Sequence, residues 1–258
     1  MNYYFAKIAS NFSFHQIIMI IIAIAIVFLS ILLAGCSSSS PLIPSIFLIS
    51  IYYQKYTPVP STAQVDFNAH NAIAIVAGDA VLQCRIGYFG ICINPDGGSW
   101  LCSNNATALA NEISLNQDPL NLIWLASQFK DMIVFPYLTI IAIILLFACI
   151  LILATFPTVN DGAEDNEYSS NDYPKPAVTQ VVIVLAVLAS VFVLVSVLWQ
   201  HTASVGASII AQDFGNGSVR SGVGTTAMVF GWFGFCLLVL ITIFLLALLM
   251  ALNSEIAY

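Results

Sequence analysis

The stretch that decides the fold runs from Cys84 to Ser103 and reads CRIGYFGICINPDGGSWLCS. Its centre is a turn signal, Pro-Asp-Gly-Gly, at residues 95–98. Proline presets φ, aspartate bonds back to nearby amides and glycine accepts positive φ, so these four residues predict a tight turn. The flanking apolar residues then form a β-hairpin, in which Cys92 and Cys102 can lie opposite each other, close enough for a disulfide.

Two glycines precede the hairpin. Gly87 and Gly90 flank Tyr88 and Phe89, which gives the pattern G-Y-F-G-x-C with Cys92. Glycine in an otherwise aromatic strand predicts a bulge or the close approach of another backbone. An ordinary hairpin in a loop is the alternative interpretation, and what the hairpin does depends on the membrane around it.

The composition is that of a membrane protein. Of the 258 residues, 60% are hydrophobic and 7% are charged, whereas soluble domains carry about 25% charged residues. The net charge is −7 and the few Lys and Arg residues are not clustered. Nucleic acid is therefore not an expected partner.

Four uncharged apolar stretches are each long enough to cross a bilayer, which takes about 20 residues of helix. We predict membrane spans at residues 17–35, 133–156, 177–198 and 228–252. They leave an N-terminus at 1–16, a large loop at 36–132, an acidic loop at 157–176, a second loop at 199–227 and a tail at 253–258. The first stretch ends in a lipoprotein-like Leu-Ala-Gly-Cys box, but it exceeds the 7–15 residues of a signal core. Gly231 and Gly234 suit close helix packing at the start of the fourth span.

The large loop is expected to hold a small sheet and a helix. Besides the hairpin, β-branched and aromatic residues predict a strand at 46–53, and a weaker, alanine-rich pattern suggests another at 72–82. Asp118 followed by Pro119 is typical of a helix start, so a short amphipathic helix is predicted over 119–131.

Two glycosylation sequons and a group of cysteines suggest which side the loops occupy. Asn105 and Asn216 begin sequons in the first and second loops. Cys36, Cys84, Cys92 and Cys102 lie in or beside the first loop, where an oxidising compartment would pair them. The balance of Lys and Arg does not settle the orientation because long loops translocate regardless of charge. We therefore predict both loops outside and both termini in the cytosol, and leave open whether Cys36 pairs with Cys84.

No catalytic or metal-binding constellation is visible. The three histidines are isolated, and neither a nucleophile elbow nor a phosphate loop is present. The chain is not expected to be an enzyme or to hold a cofactor. Carboxylates in the first loop allow weak extracellular calcium binding, but neither they nor the acidic loop match the EF-hand spacing. The four spans also lack ionisable residues, so one copy is not expected to conduct ions alone.

The motif resembles a family. Residues 87–92, Cys102, residues 118–123 and the pair Phe135-Pro136 resemble the fungal calcium regulator and membrane fusion proteins induced by mating pheromone, a branch of the claudin-like tetraspan superfamily. Tyr88 and Phe89 stand where claudins carry an aliphatic residue and tryptophan, which argues against tight-junction behaviour.

The resemblance implies a membrane α+β fold: a four-transmembrane-helix bundle with a claudin-like extracellular β-sheet and a short extracellular helix. It also implies a multi-pass plasma-membrane protein that regulates low-affinity calcium influx and cell–cell fusion during mating. Its partners would be the lipid bilayer and a lateral homo-oligomer or other membrane proteins, a calcium channel among them. The alternatives are a structural organiser of membrane domains or cell-wall contact, and an oligomeric ion pore.

Overall fold

The computed structural model describes residues 14–54, 66–155 and 176–256. In chain order the elements are α1 (Phe14–Leu33), a 3₁₀ turn (Ile43–Ser45), β1 (Ile49–Tyr53), α2 (Phe67–Ala77), β2 (Gln83–Ile86), β3 (Ile91–Asn94), β4 (Leu101–Ser103), α3 (Ala106–Asn111), α4 (Leu122–Met132), α5 (Tyr137–Leu153), α6 (Pro176–Gly215), β5 (Val219–Val223) and α7 (Thr225–Ile256). The combination of helices with a small antiparallel sheet agrees with the predicted α+β class.

These elements fall into two compact units. The helical unit takes its described residues from Met1–Leu29, Tyr137–Val195 and Trp232–Tyr258. The sheet unit comprises those of Ser30–Pro136 and Ser196–Gly231. The helix α6 contributes to both units, because its first half belongs to the helical unit and its second half to the sheet unit.

Among the described residues, three helical segments are long and apolar enough to cross a membrane. They are His15–Leu33, Ala177–Gly215 and Thr225–Met250, and the number rises to four if α4 and α5, separated by a short break, are counted as one span. A helix suits this environment because it satisfies its own backbone hydrogen bonds where water is absent. Within the helical unit, Gly234 lies where a Cβ would be 3.0 Å from a methyl carbon of Leu29, so α7 packs closely against α1 there.

The sheet is antiparallel throughout, with strand order β4-β3-β2-β1-β5. Apolar side chains of one face are buried beneath α3 and α4. This core includes Ile51, Cys84 and Ile93, which are register neighbours on three successive strands. Because strand side chains alternate between faces, the residues between them belong to the opposite face.

The predicted strand at 72–82 is wrong. Residues 67–77 form α2, and the carboxylate of Asp66 accepts hydrogen bonds from the amides of Asn68 and Ala69 at its start. An aspartate cap and an alanine-rich sequence both favour helix over strand, and these local signals outweighed the few β-branched residues.

The predicted second loop at 199–227 is also wrong over its first part. The helix α6 continues to Gly215 instead of ending near 198, and residues 219–223 form β5, which pairs with β1. The serines that suggested a loop are buried: Ser208 and Ser221 hydrogen-bond to each other at 2.8 Å. Tertiary contacts therefore override the weak helix propensity of serine.

Other boundaries differ by a few residues. The strand predicted at 46–53 begins at Ile49, and the helix predicted at 119–131 begins at Leu122, after Asn121 in a left-handed conformation. Asp118 still caps that helix, since its carboxylate oxygens accept from the amides of Leu122 at 2.7 Å and Ile123 at 3.0 Å. Most of the N-terminus at 1–16 and almost all of the acidic loop at 157–176 lie outside the described residues.

Candidate functional site

A disulfide fastens the predicted hairpin. β3 and β4 pair with Cys92 opposite Cys102, and the two are joined, with their Cα atoms 4.0 Å apart. The turn between the strands is held by Asn94, whose side-chain amide donates to the carbonyl of Gly98 at 3.1 Å, while Gly97 adopts a positive φ of 77°. The Pro-Asp-Gly-Gly signal therefore acts where the chain reverses.

The glycine pair allows the turn before the hairpin to pack closely against another backbone segment. The amide of Gly87 donates to the carbonyl of Gly90 at 2.9 Å, so the two ends of the Gly87–Gly90 turn meet. A Cβ added to Gly87 would overlap the carbonyl oxygen of Gly35, and one added to Gly90 would overlap that of Cys36. The turn thus lies directly against the backbone that follows α1. Neither position has room for a side chain, which accounts for both glycines.

The two residues inside the turn differ in exposure. Tyr88 is buried, and its hydroxyl donates to the side-chain carbonyl of Gln200 on α6 at 3.0 Å. Phe89 is 44% exposed and is therefore the member of the motif that presents an apolar surface. The pattern G-Y-F-G hence contains two closely packed glycines, one anchor and one exposed ring.

Arg85 is a residue of the site that sequence reasoning missed. It is the register neighbour of Cys92, so it lies on the same sheet face as the disulfide. Its guanidinium lies over the rings of Phe47, at 4.8 Å, and Trp100, at 4.0 Å, and donates to the carbonyl of Pro44 at 3.0 Å. Burial lowers the pKa of Arg85 from its ordinary value. These contacts link the segment after α1 to the hairpin. No local sequence pattern predicts them.

The remaining cysteines of the sheet unit are thiols. Cys36 and Cys84 are both buried and are not joined to each other. Burial raises the pKa of Cys36 to about 12 and that of Cys84 well above its ordinary value. A thiol of raised pKa stays protonated and unreactive, so both behave as core residues.

Four carboxylates of the first loop make contacts that stabilise the fold. Asp66 and Asp118 cap helices, Asp96 accepts from the side-chain amide of Gln117 at 3.0 Å, and Asp131 pairs with Lys130 at 3.1 Å. Among residues 14–54, 66–155 and 176–256, no three His, Cys, Asp or Glu side chains are grouped to hold a metal ion. Calcium is therefore not assigned a site in the part of the chain described.

The other predicted residues lie apart from the hairpin motif. Asn105 is exposed and its side-chain oxygen accepts from the amide of Thr107 at 2.9 Å, which caps α3. Asn216 is half-buried in a left-handed turn, where its carbonyl accepts from Nδ1 of the buried His70. Gly231 on α7 lies where a Cβ would be 3.1 Å from a methyl carbon of Val197 on α6.

A comparison with protein families decides the assignment. The family model described as Ca²⁺ regulator and membrane fusion protein Fig1 matches residues 68–251, more than half of the chain. The chain belongs to the Fig1 family. The match runs from α2 into α7 and so includes the hairpin, the disulfide and α6.

Membership confirms the family resemblance drawn from the motif between residues 87 and 136. It identifies a membrane protein of a family described as regulating calcium and membrane fusion, and that description is not of an enzyme. No curated protein matches the sequence significantly.

Proposed function

We propose that this Fig1-family protein regulates low-affinity calcium influx and cell–cell membrane fusion during fungal mating. It acts in the plasma membrane, with both termini in the cytosol and the sheet unit outside the cell. The helices anchor it in the bilayer, and the sheet unit is the working surface that meets a lateral copy, a calcium channel or another membrane protein.

The close packing of the Gly87–Gly90 turn against the backbone after α1 supports this proposal. The Gly87–Gly90 turn lies against the backbone after α1, and the disulfide and Arg85 fix the strands beside it. A surface held by close backbone contact, a covalent link and a stacked cation is preorganised, which lowers the entropy cost of binding a partner. Phe89 projects from this turn with 44% of its surface exposed, and exposed aromatic residues are typical interface anchors.

Contacts within the helical unit favour a regulator over a pore. Ser190 and Thr242 are two of the few polar residues available to a conducting path. The hydroxyl of Ser190 donates to the carbonyl of Ala186 at 2.8 Å, and that of Thr242 donates to the carbonyl of Leu238 at 2.9 Å. Donors engaged by their own helices in this way support helix packing as their role. A pore built from several copies, or an organiser of membrane domains, remains the alternative function.

Paired glycine substitutions test the proposal. In mating fungal cells that depend on this protein, Gly90→Ala is expected to reduce both calcium uptake and fusion, because the new Cβ overlaps the carbonyl of Cys36. Gly98→Ala is the control, since a Cβ there meets nothing within 4 Å. If the Gly90→Ala protein reaches the cell surface at its normal level and supports normal calcium uptake and fusion, the close packing of the Gly87–Gly90 turn is not required for function.

A second variant separates surface function from folding. Phe89→Ala removes an exposed ring and leaves both glycines, the disulfide and Tyr88 in place, so the protein is expected to reach the membrane at its normal level. We expect fusion and calcium uptake to fall together. Unchanged fusion and uptake would exclude Phe89 as the contact.

A further inference from the structure

The second half of α6 buries several polar residues and exposes several large apolar ones, alongside the exposed polar residues His201, Gln212 and Asp213. On this part of the helix Gln200, Ser204 and Ser208 are buried, with at most 8% of each residue exposed. In contrast, Ile210 is 58% exposed and Phe214 is 81% exposed. A helix of a water-soluble domain shows the opposite arrangement, with its apolar stripe towards the core.

Hydrogen bonds hold the polar face inward. Gln200 accepts from Tyr88, and the hydroxyls of Ser208 and Ser221 meet at 2.8 Å. One turn further on, the side-chain amide of Gln212 donates to the carbonyl of Ser221 at 2.9 Å. Rotating the helix to bury its apolar side would break these bonds. The outward direction of the apolar face is therefore built into the sheet unit.

The apolar face borders a cavity of about 1080 Å³, which we name the α6 groove. Its walls are α6 from Trp199 to Gly215, α4, β1, Val219 of β5 and Ile73 of α2, all within the sheet unit. Lining residues on α6 recur every three or four positions, so they form one continuous stripe about 24 Å long at 1.5 Å per residue. Leu125, Phe129 and Met132 of α4 face this stripe across the groove.

One end of the α6 groove is formed by residues that are next along the chain to two apolar segments. Trp199 follows the apolar residues 177–198 directly, and Met132 lies just before α5. The indole nitrogen of Trp199 donates to the carbonyl of Ile133 at 2.8 Å and joins the two walls at this end. Tryptophan is enriched where a span meets the headgroup region, since it offers an apolar ring and a polar N–H.

The geometry points to a membrane phospholipid that inserts one acyl chain into the α6 groove from the adjoining leaflet. Buried polar and exposed apolar side chains are the arrangement expected of a surface that faces hydrocarbon, where polar groups turn inward. The stripe is longer than the roughly 15 Å depth of one leaflet, so it can accept a full chain. The groove lining is mostly apolar, with Gln128 and Thr202 among its few polar members, which suits the hydrocarbon of an acyl chain.

This inference goes beyond the proposed function and does not depend on it. It requires only that Trp199 lies at a membrane interface, on whichever side of the bilayer that is. Loss of acyl binding with normal calcium uptake, or the reverse, would separate the two proposals.

The test uses the full chain in vesicles of phosphatidylcholine that carries a photoactivatable diazirine in its acyl chain. After illumination, cross-linked peptides are identified by mass spectrometry. We expect adducts on residues 122–133 and 199–215. The blocking variant is Gly206→Trp, because a Cβ at Gly206 meets nothing within 4 Å and the indole has space to enter the α6 groove. We expect about a tenfold loss of groove adducts, equivalent to excluding roughly two buried methylenes.

The control variant is Ile209→Trp. Ile209 is 56% exposed on the same helix but does not line the groove, so its adduct yield is expected to equal that of the parent protein. If Gly206→Trp fails to fold, Ala211→Trp fills the same groove from another position. Equal groove adducts in parent and blocked proteins would overturn the inference. So would cross-links through the groove to a second copy in place of lipid.

Discussion

Removing the disulfide between Cys92 and Cys102 should lower the free energy of unfolding of the sheet unit by an amount that the loop length sets. The bond links residues separated by 10 positions. In the chain-entropy treatment, opening a loop of this length costs about 2.7 kcal/mol of stability. The appropriate variant is Cys92→Ala with Cys102→Ala, because Cys92 is fully buried and a serine hydroxyl there would add its own cost.

Unfolding of the sheet can be followed by the labelling of a buried thiol, Cys84. Cys84 is fully buried in the core beneath α4, so it reacts with a maleimide only when the sheet unit opens. The purified protein is heated, and Cys84 labelling is followed by peptide mass spectrometry. The labelling curve gives the midpoint temperature of unfolding for the sheet unit. For a domain of this size, about 2.7 kcal/mol corresponds to a midpoint roughly 5–10 °C lower.

Two comparisons make the result decisive. Reducing the parent protein should lower the midpoint as much as the double substitution does. Replacing Cys236, a free cysteine, by alanine should leave it unchanged. A midpoint within 2 °C of the parent in the double variant would refute the reasoning, because the hairpin would then be held without its covalent link.

Three further results are expected. Tyr53→Phe should destabilise the sheet unit by about 1–3 kcal/mol, measured by the same labelling midpoint, because it leaves the amide of Leu120 without the hydroxyl that accepts its proton at 2.8 Å. Because burial raises the pKa of Cys36 above its ordinary 9.0, to about 12, the stability that this thiol contributes should be present below pH 9.0. It should be lost as pH rises from there towards 12, as measured by the free energy of unfolding at each pH. If Asn105 is glycosylated, Asn105→Gln and Thr107→Ala should both remove the mobility shift, but only Asn105→Gln should cost about 1 kcal/mol, since the cap uses the backbone amide of Thr107.

Local signals in the sequence carried the prediction of the hairpin. Pro-Asp-Gly-Gly lies within the connection between the last paired residues, Ile93 and Leu101, and so predicted where the chain reverses and that Cys92 and Cys102 could meet. The glycine pair predicted the close approach of another backbone, but it did not identify which one. The approaching residues, Gly35 and Cys36, lie some fifty positions earlier, and no local pattern encodes that distance.

Except for α2, whose local helix signals were underweighted, the parts that sequence reasoning missed depend on distant contacts. β5 becomes a strand because its residues bond to β1, far earlier in the chain. The extension of α6 looked like a loop because its serines read as polar surface. The buried face is held by hydrogen bonds from Tyr88 to Gln200 at one end and between Ser208 and Ser221 towards the other.

The pairing of β1 with β5 also constrains the topology. β1 belongs to the first predicted loop and β5 to the second, and their backbones are hydrogen-bonded along five residue pairs. Hydrogen-bonded strands of one sheet cannot lie on opposite sides of a bilayer, because the hydrocarbon core separates the two sides by about 30 Å. Asn105 and Asn216, which belong to the same sheet unit as these strands, must therefore face the same compartment. Evidence that fixes the side of either asparagine fixes the side of both, and with it the side on which the disulfide hairpin lies.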